Sequence, residues 1–260
     1  MEVVIVESQV EMARIAGDAI AAVVSSRKTP TLGLATGSSP VPVYADLIER
    51  HRTEGIGFNG TTMFLLDEYV GLPDGHPQSF RTVIRATFTA HVDVDPAAVH
   101  GPDANADDLK KACLRYENLI ADAGGIDVQL LGIGSEGHIG FNEPASSLAS
   151  RTRLKTLTDR TRKDNARFFD KHEEVPRHVL TQGIGTILEA RHIILMASGL
   201  AKSVPIERTV EGPVSAMVPA SALQLHPHVT VIVDEHAACR LKHADYYRST
   251  FKHKPERQAI

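Results

Sequence analysis

Residues 134–144 read GSEGHIGFNEP, placing Glu136, His138 and Glu143 within eight residues and among three glycines. Carboxylates beside a histidine fix its tautomer and strengthen it as a base. Glycines let the backbone follow a tight path that turns several side chains toward one point. Acid–base chemistry is therefore the reading of this stretch, against a satisfied structural histidine as the plain alternative. The overlapping GIGSEG, residues 132–137, also fits the G-x-G-x-x-G pattern of dinucleotide sites, and Asp159 stands roughly where that motif asks for an acid. That fingerprint needs a helix to open at its third glycine. Here Gly137 is followed by His138, Gly140 and Pro144, a poor helix start, so the match reads as coincidence. Glu and His are also metal ligands, but no second His or Cys stands at helical ligand spacing, and no metal is expected.

Two other loops carry chemistry of their own. ATGSSP (35–40) offers Thr36, Gly37 and Ser38 between an apolar run and a helix-like stretch whose first turn holds Pro40. Free N–H groups at a helix N-terminus together with hydroxyls make an anion pocket, although an ordinary serine cap has the same composition. No lysine stands at Walker spacing. DEYVGLP (67–73) sets Asp67 and Glu68 directly after the apolar run TMFLL. A carboxylate at the end of a buried strand is partly desolvated, which raises its pKa and suits a general base; a turn-forming Asp with a solvated neighbour is the alternative. The segment 150–167 carries Arg151, Arg153, Lys155, Arg160, Arg162, Lys163 and Arg167, most of them read as a solvated helix face. One or two of these arginines suit a phosphate, because the guanidinium fork matches it. Lys202, in SGLAK, is a further candidate cation.

These loops need a frame. Short apolar runs at 2–6, 31–35, 62–66, 126–133, 192–197 and 228–234 read as strands, separated by helix-like stretches such as 41–52 and 107–124 and by a polar-apolar stretch at 79–92. Ser8, with Glu11 three residues on, caps the first helix. Alternation of this kind predicts an α/β fold: a Rossmann-like, mostly parallel sheet with helices on both faces, read as one domain over 1–260. Such sheets bind ligands where loops leave the carboxyl ends of their strands, which is where all three suspicious loops fall.

Composition narrows the function. The chain has 260 residues, 42% hydrophobic, with a formal net charge of −4, which argues against nonspecific nucleic-acid binding. Cys113 and Cys239 stand in no paired spacing and read as buried or idle thiols. The start lacks the pattern of a signal peptide, and no run reaches the roughly 18 apolar residues of a membrane span, so a cytoplasmic protein is expected. His226 and His228 read as surface residues flanking Pro227, and the basic tail as fraying beyond Phe251.

LATGSSP, FLLDEYVGL, GSEGHIGFNEPASSLASRTR, NARFF and LQLHP, in this order, resemble the glucosamine-6-phosphate deaminase (glucosamine/galactosamine-6-phosphate isomerase) family over nearly the whole chain. The resemblance implies conversion of glucosamine 6-phosphate and water to fructose 6-phosphate and ammonia, in N-acetylglucosamine catabolism, with no cofactor. It implies Asp67 as the base that moves the C2 proton. His138 would carry a proton during ring opening, supported by Glu136 and Glu143. Thr36, Gly37, Ser38, Arg167 and Lys202 would hold the phosphate. Some members have Asp or Asn where this chain has Glu136. Ser146, Ser147, Arg153 and Lys155 match positions that bind N-acetylglucosamine 6-phosphate between subunits of hexameric, allosteric members, while LKHADYYRSTF departs from the tail that completes that pocket. A lactonase-type sugar-phosphate hydrolase and a non-catalytic sugar-phosphate sensor are the alternatives; neither requires Asp67.

Overall fold

The computed structural model describes residues 1–255, 258 and 260. In chain order its strands are β1 (Glu2–Val6), β2 (Thr31–Leu34), β3 (Thr62–Leu65), β4 (Asp67–Tyr69), β5 (Val99–His100), β6 (Val128–Leu131), β7 (Arg153–Thr156), β8 (His178–Thr181), β9 (His192–Ala197) and β10 (Val229–Asp234). The α-helices are α1 (Gln9–Ser26), α2 (Val41–Thr53), α3 (Phe80–Thr87), α4 (Leu109–Asp122), α5 (Asp159–Asn165), α6 (Ile184–Ile187), α7 (Ser203–Val210), α8 (Glu235–Ala238) and α9 (Ala244–Lys252). Among the described residues no helix is long and apolar enough to cross a membrane.

Seven strands form one sheet in the order β1-β10-β9-β6-β2-β3-β5, with every pairing parallel. Its central strands are buried along their whole length, as expected where helices cover a parallel sheet. All six apolar runs of the sequence become strands of this sheet. Ser8 caps α1 by accepting from the Glu11 N–H at 3.2 Å, whereas the Glu11 carboxylate takes the Glu7 N–H, one residue outside the capping box.

A second, antiparallel sheet of order β4-β8-β7 lies beyond the first, and the apolar pattern did not indicate it. The segment 67–73, expected as a loop, begins as strand β4, and the basic stretch, expected as a helix face, contains β7 before α5 begins. These strands are short, and β7 alternates half-buried with exposed residues, so it carries no apolar run. Leu66 is the single residue between β3 of the large sheet and β4 of the small one. The joint is braced: the Tyr116 hydroxyl and the Gln182 side-chain amide both donate to the Leu65 carbonyl, and the Gln182 N–H donates to that of Leu66 at 2.8 Å. Tyr69, Phe141, Leu157, Phe169, Val175 and Val179 give the small sheet a core of its own.

Two surface expectations change. His226 is buried, its Nε2 2.7 Å from the Ala190 carbonyl, because the strand-entry turn folds the ring inward; His228 is exposed, stacked on His192. The tail does not fray at Phe251: α9 runs to Lys252, Lys254 pairs with Glu2 at 2.6 Å, and Ile260 packs on the core. The rest of that expectation, on residues 256, 257 and 259, lies outside the described residues. Cys113 is buried and Cys239 exposed, both as free thiols.

Candidate active site

A cavity of about 690 Å³ opens at the carboxyl ends of β2, β3, β6 and β9, where a sheet of this kind binds its ligands. Thr36, Gly37 and Ser38 enter it after β2, Asp67 after β3, His138 after β6, and Lys202 after β9; Arg167 comes from beyond α5. Loops far apart in the sequence thus meet around one space. The helix after β2 begins one residue later than expected, with Pro40 as its N-cap and Pro42 in its first turn.

One end is built for an anion. Gly37 takes a φ of +95°, a conformation that favours glycine and that turns the loop across the cavity floor. The Lys202 ammonium donates to the Ile133 carbonyl at 2.6 Å, which fixes its position. Burial lowers its pKa, the Arg167 charge lowers it further, and Asp164 opposes both. The Arg167 guanidinium lies 4.7 Å from the centre of the Phe168 ring, in cation–π contact, with its charge exposed to the cavity.

The other end is built for protons. Asp67 and Glu68 are neighbours with opposite fates. The Glu68 carboxylate caps α3, accepting from Ser79 Oγ at 2.8 Å, Phe80 N at 2.9 Å and Arg81 N at 3.0 Å. It is not the solvated neighbour the sequence suggested. Asp67 is 5% exposed, and among the described residues no protein donor reaches its carboxyl group. Burial, with the Glu68 charge behind it, pushes its pKa well above the usual carboxylate value.

The 134–144 loop docks against β8, with Phe141 N donating to Thr181 Oγ1 at 3.1 Å and the Asn142 side chain to the Gln182 carbonyl at 2.8 Å. Thr181 pairs with Asp67 in the small sheet, so this docking brings the two bases to one wall. The His138 imidazole lies flat against Gly134, where an added β-carbon would fall 2.1 Å from ring atoms Cε1 and Nε2. No helix opens in this loop. Burial lowers the His138 pKa, with Lys202 acting the same way and Glu143, Glu136 and Asp164 opposing. The two glutamates expected to support the ring do not bond to it. Glu143 accepts from Thr158 N at 3.1 Å, Thr158 Oγ1 at 3.0 Å and Thr161 Oγ1 at 2.5 Å, which ties this loop to the start of α5. Glu136 pairs with Arg160 at 3.2 Å instead, since its longer side chain carries the carboxylate past the ring to the rim.

Ser146, Ser147, Arg153 and Lys155 do not line this cavity. Among the described residues, Ser146 Oγ and Arg153 Nη2 are buried with no hydrogen-bond partner, and Arg153 Nη1 reaches the Arg151 carbonyl at 3.3 Å. Reading the sequence missed Asp164 and the Tyr69, Phe80, Phe141 and Phe169 wall, and weighed Arg160 only as part of a charge run. A signal was available: Arg160, Asp164 and Arg167 fall at i, i+4 and i+7, one face of a helical segment. Among the described residues no cluster of three or more His, Cys, Asp or Glu side chains could hold a metal ion.

Residues 7–232 match the family described as glucosamine-6-phosphate isomerases/6-phosphogluconolactonase. The chain is 56% identical, over 260 residues and the full length of both proteins, to the glucosamine-6-phosphate deaminase of Pseudarthrobacter chlorophenolicus. It superposes on the solved structure of a monomeric glucosamine-6-phosphate deaminase with a TM-score of 0.90 and 42% identity, covering 92% of this chain and 100% of that one. The 6-phosphogluconolactonase of Trypanosoma cruzi matches with a TM-score of 0.74 over 93% of this chain and 97% of that one, but at 20% identity, a likeness of fold alone.

Proposed function

The chain belongs to the family of glucosamine-6-phosphate isomerases and 6-phosphogluconolactonases, and on that premise we propose that its strand-end cavity opens, isomerises and deaminates a phosphorylated amino sugar. The enzyme converts glucosamine 6-phosphate and water to fructose 6-phosphate and ammonia. The phosphate lies on the backbone of Thr36, Gly37 and Ser38 with Arg167 and Lys202 as counter-charges. His138 takes the proton of the sugar's anomeric hydroxyl and returns one to the ring oxygen, which frees the C1 aldehyde. That carbonyl acidifies the C2 proton, and Asp67 carries the proton from C2 to C1. The C1 oxygen takes up a proton given by the amino group, C2 becomes an iminium carbon, and water adds there and expels ammonia, leaving the C2 ketone. The sugar's own carbonyl is the electron sink, so the route draws on no organic cofactor.

The observation that supports this reading is the shared cavity: Asp67 and His138, from different strands, face one space whose far end is cationic. Burial makes the Asp67 carboxylate a stronger base than a solvated one, and it favours the neutral form of His138, the form that can accept a proton. The test is ammonia release from glucosamine 6-phosphate, with unphosphorylated glucosamine as control. Ammonia from the phosphorylated sugar alone is expected; none from either, or equal release from both, overturns the reading. Arg167→Ala is expected to raise KM about ten-fold with kcat nearly unchanged, because an exposed cation grips ground and transition states alike; initial-rate kinetics decide, and an equal fall in kcat would mean the grip also positions the sugar.

Regulation is a separate proposal. Ser146, Ser147, Arg153 and Lys155 would bind N-acetylglucosamine 6-phosphate outside the cavity, and the unpartnered Arg153 Nη2 supports an anion there. An effect of that sugar on the rate–substrate curve is expected, and identical hyperbolic curves with and without it remove the idea. Light scattering then decides between a monomer, as in the solved relative, and a homo-oligomer such as a hexamer. A phosphorylated sugar is retained inside cells, which supports a cytoplasmic place for the reaction.

A further inference from the structure

We propose that Arg160 is a positioning residue for the ring-opening base: by pairing with Glu136 it holds that carboxylate off the buried nitrogen of His138. The inference rests on the assignment of His138 as the proton carrier. Glu136 stands two residues before His138 in the same glycine loop, the natural place for a carboxylate that orients an imidazole. Its Oε1 instead meets Arg160 Nη1 at 3.2 Å, across the rim from α5. Among the described residues, His138 Nδ1 is meanwhile buried with no hydrogen-bond partner. A buried polar nitrogen left unpaired is unfavourable, so a nearby carboxylate freed from its own partner gains by pairing with it.

The groups that face this imidazole narrow the choice. Glu143 is engaged by three donors from Thr158 and Thr161, and the Lys202 ammonium is committed to the Ile133 carbonyl. Asp164 is exposed on the same helix as Arg160, and Asp67 stands on the small sheet. Glu136 alone combines nearness in the chain with a weak restraint, since the Arg160 and Glu136 side chains are 58% and 29% exposed, and pairs of this kind add little stability. Arg160 therefore sets how much of the time the carboxylate reaches Nδ1. With Arg160 in place the ring stays neutral and able to take a proton; without it the carboxylate turns inward and the imidazolium is favoured.

The test is NMR titration of the His138 ring, assigned by the signal lost in His138→Gln. Arg160→Ala is expected to raise the proton affinity of His138 about two- to five-fold, the worth of an exposed ion pair, and to move the acid limb of the kcat/KM profile to higher pH by the same factor. Arg160→Lys restores the wild-type titration, and Glu136→Gln abolishes the effect of Arg160→Ala. An unchanged midpoint in Arg160→Ala overturns the proposal. So does an equal rise with glutamine at 136, which would mean that the arginine's field acts without the carboxylate. The titration needs no turnover, so a failure of wild-type enzyme to release ammonia would sink the functional reading while leaving this result separately readable.

Discussion

Asp67→Asn is expected to lower kcat by about 10²–10⁴-fold while sugar-phosphate affinity stays within a few-fold, because the role proposed for the residue is to move a proton and not to hold the phosphate. Initial rates and calorimetric binding separate the two. A loss below ten-fold, or one shared equally by affinity, would remove Asp67 from the proton-transfer step. The same substitution carries a second signature. Burial raises the folded-state pKa of Asp67 well above the ordinary value of 3.8, so folding binds a proton that the unfolded chain has released at higher pH. The stability this group contributes is therefore full below pH 3.8 and lost as pH rises through the folded pKa. Asparagine, always neutral, escapes that loss. Asp67→Asn is thus expected to unfold at a higher temperature than wild type at pH 8, with the gap closing as the buffer is taken toward pH 4. A less stable variant across that range would contradict the unpaired burial of this carboxylate.

Gly134→Ala is the second large effect, with kcat falling about 100-fold. Gly134 has no positive φ, so the backbone tolerates alanine; what it does not tolerate is a β-carbon 2.1 Å from the imidazole. Apolar atoms rest roughly 3.5–4 Å apart, so the ring must move by more than an ångström. The Gly134 N–H also donates to the His138 carbonyl at 2.9 Å, so loop and ring shift together. The residues proposed to hold the phosphate, Thr36, Gly37, Ser38, Arg167 and Lys202, lie outside this loop, and inhibition by a non-reacting sugar phosphate is expected to stay unchanged. Full activity in Gly134→Ala would mean that the ring position is not critical. Loss of inhibitor binding would mean that the whole loop had collapsed.

Much of this was legible in the chain. Six apolar runs gave the large parallel sheet, and the three loops after them carry Thr36–Ser38, Asp67 and His138 into one cavity. The rest was hidden for stated reasons. β7 reads as charged and polar because one of its faces is exposed, so the small sheet left no periodic trace strong enough to notice. Glu68 and Asp67 are indistinguishable by type and position; only the α3 N–H groups beyond Ser79 decide which becomes a cap and which stays free. Glu136 was assigned to His138 by proximity along the sequence, yet its partner comes from α5, a contact that no local pattern records.

The single-residue joint at Leu66 has a mechanical meaning. Asp67 rides on the small sheet and Arg167 lies between α5 and Phe169 of that sheet's core, whereas Thr36–Ser38 and Lys202 leave strands of the large sheet and the His138 loop runs from β6 to a dock on β8. The cavity is therefore walled by both slabs, which join in the backbone at the buried Leu66 and the bonds around it. Substitutions that shift one slab against the other are expected to move kcat and KM together.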